Sequence, residues 1–326
     1  MITGGTNGLT KTGSGTLTLS GTNTYAGGTV VNNGSLVLAS TTALKSNTSL
    51  GITGSGSVQV AGTGGVLQVS SLNITGSGKL DLDKHDLIWH NGDVSTVTSW
   101  LDAGYSGGTW NDTSNLPAIT SSTYTTGYGF GVLSGAVYLG IYGQGAQFDE
   151  VTVSPSDVLV KYTLLGDTTL KGYVDATDFA QLDAAYLMGL YATGGATWIN
   201  GDCNYDGQIT NADYAAMNAS FQLSQSGGGQ ATQVPPTGVN TITPVSQTRS
   251  NSPLSAGSTN APYAVLAVAL VFAEPDATAT DSSAISITPT PEPGTLGIAS
   301  VGLLAFLRKR KRTSITTLRM RPMTRA

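Results

Sequence analysis

A chain of 326 residues has room for two or three domains, yet only 11% of it is charged, against about 25% in an ordinary soluble domain. Its 43 glycines, with abundant Thr, Ser and Asn, disfavour long helices and suit short strands joined by tight turns. Eight of the 15 Lys and Arg lie at or beyond Arg308, while all 20 acidic residues lie at or before Glu292. An acidic body with a basic tail argues against nucleic acid as a partner, because a phosphate-binding face needs clustered Lys and Arg.

The first residues, Met1 to Gly5, carry neither a charged nor an apolar leader segment, so they are not a signal peptide. A truncated or mis-started chain is the expectation. Cys203 is the only cysteine, which rules out an intrachain disulfide.

Residues 1–83 repeat. "LTKTGSGTLTL" (9–19), "LGITGSGSVQV" (50–60) and "LNITGSGKLDL" (72–82) share an apolar first residue, Thr-Gly-Ser-Gly and an alternating strand, and "VVNNGSLVL" (30–38) is a weaker copy. Alignment on the first strand residue places Leu17, Leu36, Val58 and Leu80 in one column. A Gly turn and a short strand recurring every ~20 residues predict a β-solenoid. One coil cannot bury its own Leu and Val, whereas stacked coils bury them continuously. Residues 4–38 resemble the autotransporter-associated β-strand repeat of bacterial surface proteins. That resemblance implies a right-handed β-helix in an exported passenger, and no chemistry of its own.

Residues 84–165 read as a second, β-rich domain with strands at 86–90, 131–143 and 157–165. Between them, 96–105 reads as a short helix with Trp100, Leu101 and Tyr105 on one face. His85 and His90 have no convergent partners in the sequence and read as packed or solvated. Trp89, Trp100, Trp110 and the tyrosines read as core rather than as a sugar-stacking platform.

The stretch "DCNYDGQITNAD" (202–213) places acids around a glycine in a chain that otherwise avoids charge. Its frame is D-x-[DN]-x-[DN]-G with an acid at position 12. Asp202, Asn204 and Asp206 supply oxygens at positions 1, 3 and 5, and Gly207 makes the turn. The Gln208 carbonyl, Thr210 and Asp213 complete the set at positions 7, 9 and 12. Oxygen donors without His or thiolate favour Ca²⁺ over zinc or iron. A second frame, "DTTLKGYVDATD" (167–178), lies upstream. Asp167, Thr169, Tyr173 (through its carbonyl), Asp175 and Asp178 hold the ligand places. Lys171 takes position 5, where it cannot ligate and competes for the same oxygens. This degenerate loop is expected to bind little. Ile209 at position 8 is expected to pair the loops through a short strand.

Each loop leads into an apolar stripe, Phe179, Leu182, Tyr186 and then Tyr214, Met217, Phe221, at helical spacing. Residues 166–222 resemble the dockerin type I module, a small α-helical pair of EF-hand loops. The resemblance implies Ca²⁺-dependent folding and a cohesin-like or polysaccharide partner. Lys171 and the lack of a Ser-Thr pair repeated after both loops depart from the family.

Residues 223–288 read as a disordered linker, although 264–273 are apolar and too few to span a bilayer. In "PEPGTLGIASVGLLAFLRKRKR" (291–312), Pro291, Glu292 and Pro293 precede an apolar run, 294–307, and then Arg308, Lys309, Arg310, Lys311 and Arg312. The run reads as a short C-terminal transmembrane helix, with the basic cluster stopping transfer. The order resembles the PEP-CTERM sorting signal (289–312). It implies an exosortase-type sorting enzyme as partner and delivery to the cell surface or extracellular matrix of a Gram-negative-type bacterium. Residues 313–326 form a basic tail beyond the usual end of that signal.

The whole chain thus reads as a mainly β, exported structural or adhesion protein with Ca²⁺ as cofactor and no enzymatic activity. Glycoside hydrolysis needs two opposed carboxylates, and residues 1–80 contain none. Two alternatives stay open: a carbohydrate-binding component of polysaccharide degradation, and a fragment of a surface enzyme whose catalytic domain is missing.

Overall fold

The computed structural model describes residues 2, 3, 5–62 and 65–225. The linker after 225, the sorting residues, the apolar run 294–307 and the basic tail lie outside them. Among the described residues, no helix is long and apolar enough to cross a membrane.

The repeats fold as read. Strands β1 (Leu9–Lys11), β2 (Thr16–Leu19), β3 (Thr29–Leu38), β4 (Thr48–Val60), β5 (Val66–Ile74) and β6 (Lys79–Asp81) form a β-solenoid of about four turns, paired in parallel throughout. The column expected from the repeat is the observed register. Leu17 pairs with Leu36, Leu36 with Val58, and Val58 with Leu80. A second column runs through Val31, Ile52 and Ile74. Leu36, Val58, Leu80, Val31 and Ile52 are all fully buried. Each apolar residue rests on the equivalent residue of the next coil, and each such burial is worth roughly 1.5–3 kcal/mol.

The stack continues beyond the visible repeat. Strand β7 (Asp86–Trp89) pairs in parallel with β5, and β8 (Ala118–Thr120) pairs in parallel with β6. Leu80 pairs with Ile119, which extends the column by one coil. The excursion between β7 and β8 carries α1 (Val94–Tyr105), where the sequence places a helix. Asp93 caps it, its carboxylate accepting from the Thr96 amide at 2.9 Å. Trp100, Leu101 and Val97 face the core, and Trp89 stacks on Trp100 at 5.9 Å.

Strand β9 (Tyr128–Ser134) is shorter than the strand expected over 131–143. Residues Gly135–Tyr142 instead form helix α2. The Ser134 hydroxyl caps that helix by accepting from the Val137 amide at 3.2 Å. A short apolar run satisfies strand and helix periods alike, and here the cap decides. A two-stranded ribbon, β10 (Gln147–Phe148) and β11 (Val151–Thr152), follows. Then β12 (Val158–Leu164) inserts antiparallel between β7 and β9. The ladder through β5 and β7 therefore ends in two antiparallel strands. Across the β7–β12 junction, the Lys161 ammonium lies buried 3.1 Å from Asp86 and 2.9 Å from Asp149. Asp86 stands on β7 and Asp149 in the turn of the β10–β11 ribbon, so the one buried ammonium ties β12 to both.

Of the aromatics expected in the core, Trp100 and Trp110 are buried and Trp89 is half-buried, while Tyr124, Tyr173 and Tyr191 are exposed. Trp110 and Phe130 meet edge to face at 5.1 Å, and both are fully buried. Three helices follow: α3 (Ala176–Leu187), the single turn α4 (Leu190–Thr193) and α5 (Asn211–Gln225). All described residues belong to one compact unit.

Leu36 stands mid-column while Thr18 is exposed. Leu36→Ala is expected to destabilise the protein by about 2–5 kcal/mol. Thr18→Ala, on the neighbouring coil, is expected to stay within about 0.5 kcal/mol of the parent. Urea unfolding of the two variants measures the difference.

Candidate metal centre

The last strand of the sheet delivers the chain straight into the first acidic loop. β12 ends at Leu164 and Asp167 follows three residues later. The second loop begins at Asp202, after a 3₁₀ turn over Trp198–Asn200. Both loops have the same backbone. Positive φ recurs at Gly166 and Gly201 just before the loops, at Leu170 and Tyr205 in position 4, and at Gly172 and Gly207 in position 6.

Three hydrogen bonds recur as well. The position-6 amide donates to the position-1 carboxylate, Gly172 to Asp167 at 2.6 Å and Gly207 to Asp202 at 3.0 Å. The position-2 amide donates to the position-12 carboxylate, Thr168 to Asp178 at 2.9 Å and Cys203 to Asp213 at 2.9 Å. The position-9 amide donates to the same carboxylate, Asp175 to Asp178 at 2.8 Å and Thr210 to Asp213 at 2.9 Å. Two segments with only partial sequence likeness thus share one covalent path and one set of constraints.

Packing pairs them. Val174 and Ile209, both at position 8, are buried in a core with Phe179, Leu182, Tyr214 and Met217. Phe179 meets Phe221 at 5.8 Å and Tyr186 meets Tyr214 at 6.3 Å, so each helix offers the other the same two places. The short strand expected between the loops does not form; the Val174 amide donates to the Ser224 hydroxyl instead, at 3.1 Å. The position-4 residues turn the other way, into the core of the sheet. The Tyr205 hydroxyl donates to the Phe130 carbonyl of β9, and Tyr205 stacks on Trp198 at 5.9 Å. The Trp198 indole donates to the Asp167 carbonyl at 2.8 Å, tying the second loop's approach to the first loop. The sequence reading missed these anchors, whose one signal was an apolar residue at position 4 of both loops.

Within the second loop the ligand candidates lie close together. The Asn204 carbonyl oxygen accepts from the Asp206 amide at 3.0 Å, and Asp206 accepts from the Gln208 amide at 2.8 Å. Asp213 is held by the Cys203 and Thr210 amides, and the Thr210 hydroxyl adds a contact at 3.2 Å. Among the described residues, no three His, Cys, Asp or Glu side chains already form a group that could hold an ion. One atom stands out. Asp202 is 2% exposed, and its Oδ1 is buried without a hydrogen-bond partner. A buried, unpartnered carboxylate oxygen is costly. Burial, then repulsion from Asp213, pushes the Asp202 carboxyl up to about 7, with the Gly207 and Tyr205 amides pulling the other way. The donors are all oxygen, and the orphaned one belongs to position 1. That set fits a hard divalent cation.

The first loop differs at its centre. Lys171 turns its ammonium inward, where it contacts Asp178 and lies 3.2 Å from the Thr169 hydroxyl. Asp175 and Asp167 are at 3.6 and 3.8 Å. Tyr173 is exposed, its ring 5.2 Å from that ammonium. Cys203 is buried, and burial pushes its thiol well above the ordinary range. Trp100, Trp110 and Trp198 are buried, so none offers a ring face to a sugar. His90 contacts Asp157 at 2.9 Å, and His85 contacts the Leu82 carbonyl at 3.0 Å.

Comparison with known families gives two matches. Residues 9–38 match the passenger-associated-transport-repeat and residues 289–311 match the PEP-CTERM protein-sorting motif. No curated protein and no solved structure matches the chain. The first match falls on the first coils of the solenoid. The second carries Pro291, Glu292, Pro293 and Arg308 to Lys311. Such motifs are recognised by exosortase-type sorting enzymes, and the match implies an exported surface protein in a Gram-negative-type bacterium.

Asp202 also sets a pH dependence. Its folded pKa lies above that of the unfolded chain, so between about pH 4 and pH 7 the native state holds the extra proton. Without metal, stability should therefore fall as pH rises through that window. Asp202→Asn removes the titrating group. In EDTA it should flatten the decline and leave the variant more stable than the parent at pH 7.5, by on the order of 2 kcal/mol. Urea midpoints at pH 5 and pH 7.5 provide the comparison.

Proposed function

We propose that the chain is a surface-displayed structural or adhesion protein whose paired-loop module takes up one Ca²⁺ in its second loop. The observation that carries the calcium reading is the orphaned, buried Oδ1 of Asp202 at position 1 of an all-oxygen loop. Asp202, Asn204, Asp206, the Gln208 carbonyl, Thr210 and Asp213 would hold the ion. The doubled backbone frame, with its reciprocal ring contacts, supports reading residues 166–222 as a dockerin-like EF-hand pair.

Display rests on a different observation. The sorting motif supports processing near Pro293, with the apolar run as a transient inner-membrane anchor and the body released or retained outside. The solenoid supports a structural role. Its described surface is built from Thr, Ser, Asn and Gly, which suits contact with hydrated extracellular polymer. A cohesin-like protein or a polysaccharide is the partner this reading implies.

Calorimetry on the purified chain should find one Ca²⁺ with a dissociation constant of ~10⁻⁴ to 10⁻³ M, the range of extracellular modules. The short Asp213, reaching less far than Glu at position 12, favours the weak end. Asp202→Ala should abolish the heat. Silence in the parent at millimolar Ca²⁺ would show that the second loop is only an acidic turn.

Sorting has its own readout. Mass spectrometry of protein recovered from the medium or outer surface should find a body ending close to Glu292. Recovery of released protein that still contains Arg312 would refute processing.

A further inference from the structure

Lys171 stands where the first loop's ion belongs. Its ammonium is surrounded by Asp167, Thr169, Asp175 and Asp178, which are positions 1, 3, 9 and 12 of the loop. Those are the side chains that would ligate a cation in this frame. The lysine side chain is 9% exposed, and Asp167 and Asp178 are fully buried. The rest of the frame keeps the geometry of its partner loop, down to the amides that hold positions 1 and 12.

We propose that the Lys171 ammonium is a built-in replacement for the metal ion, so that the first loop is locked in its cation-bound form without calcium while the second waits for the ion. The inference rests on reading both segments as cation loops. It goes further in assigning the module one metal ion rather than two, and in making its two halves respond differently to calcium.

Charge and geometry agree. Three carboxylates converging in a buried loop repel one another unless a cation sits among them. In the second loop nothing positive fills that place, and Asp202 is left with an unpartnered oxygen. In the first loop every carboxylate has the ammonium in reach. Burial works against the charged lysine, but Asp178, Asp167 and Asp175 outweigh it and hold its pKa above the ordinary lysine value. Asp175 lies below the usual carboxylate range: burial raises it, and the Lys171 charge with the Thr177 hydroxyl more than offsets that. A Ca²⁺ ion could enter only by expelling the ammonium, which would then lose three acidic partners.

The anchoring of this loop gives the replacement a purpose. Asp167 follows directly on β12, its carbonyl accepts from Trp198, and its carboxylate accepts from the Thr163 hydroxyl on β12 at 2.6 Å. A loop that needed calcium here would leave the end of the sheet dependent on the ion. With Lys171 in place, the junction between sheet and module is complete at any calcium concentration, and only the distal loop and α5 respond.

The test uses the full chain in an Asp202→Ala background, where the second loop is silent. That protein should bind no Ca²⁺ at millimolar concentration. Adding Lys171→Asp should create one Ca²⁺ site, read by calorimetry. Terbium provides a second probe, since an ion at the ammonium's position would lie about 5 Å from the Tyr173 ring and should show tyrosine-sensitised emission. In EDTA, Lys171→Met on the otherwise unaltered chain should lower the melting temperature by roughly 5–10 °C, because it leaves buried carboxylates without a counter-charge. Calcium binding by Asp202→Ala alone would overturn the proposal, and so would a Lys171→Met chain as stable as the parent in EDTA. The melting comparison needs no calcium, so it survives if the second loop proves not to bind. If the Lys171→Asp chain is unfolded in EDTA, recovery of its structure on adding Ca²⁺ supports the proposal and failure to recover counts against it.

Discussion

Everything in the fold depends on one constraint: a single coil cannot bury its own apolar side chains. Leu36 is fully buried only because Leu17 and Val58 lie directly against it in the neighbouring coils. The same requirement repeats along the column to Ile119, so stability is shared between neighbours rather than held in one centre. It also creates a problem at the end of the stack, where an open strand edge would invite pairing with other chains. Along the ladder through β5, strand β7 is met by β12 running the opposite way, and β9 follows, while the ladder through β6 ends at β8. Reversed direction, a buried Lys161 between two carboxylates and the aromatic cluster around Trp110 make this end unlike a further coil.

The paired loops grow out of that closing layer. Tyr205 of the second loop and Trp198 of the turn before it reach into the core beneath β9, while Val174 and Ile209 face the module's own core. Each loop thus has an apolar residue on either side of its turn, at positions 4 and 8, and is clamped between two cores. Such clamping explains how a loop with several carboxylates keeps one path in the absence of an ion. What remains unsatisfied is electrostatic and confined to the second loop.

Much of this was legible in the sequence. The register of the first four coils could be read residue by residue, because period, turn and alternation coincide at Leu17, Leu36, Val58 and Leu80. The next coil was not legible. The excursion that carries β7 and α1 separates Leu80 from Ile119, and an interrupted period leaves no local signal. The apolar run 135–142 was read as strand because its residues satisfy both periods and the deciding feature is one serine cap. The acidic frames were legible as one loop repeated, since carboxylates and glycine recur at the same spacing in both segments. The direction of the Lys171 side chain was not, because it depends on burial among carboxylates brought together by the fold. Tyr205 as an anchor was invisible for the same reason: its partner, Phe130, is 75 residues away in sequence.

The in-register column bears on how such a protein changes length. Val58 and Leu80 present their neighbours with the same partners at the same spacing, so a tandem duplication of one coil would insert a segment whose upper and lower faces already match. No new core must be invented and no existing contact redesigned; only the closing strands β12 and β9, with the module attached to them, must stay terminal. Selection acting on the reach of a displayed surface protein would therefore find copy number easy to alter at the coils and hard to alter at the cap. Gene conversion and unequal crossing-over within the Thr-Gly-Ser-Gly repeats would supply the variants.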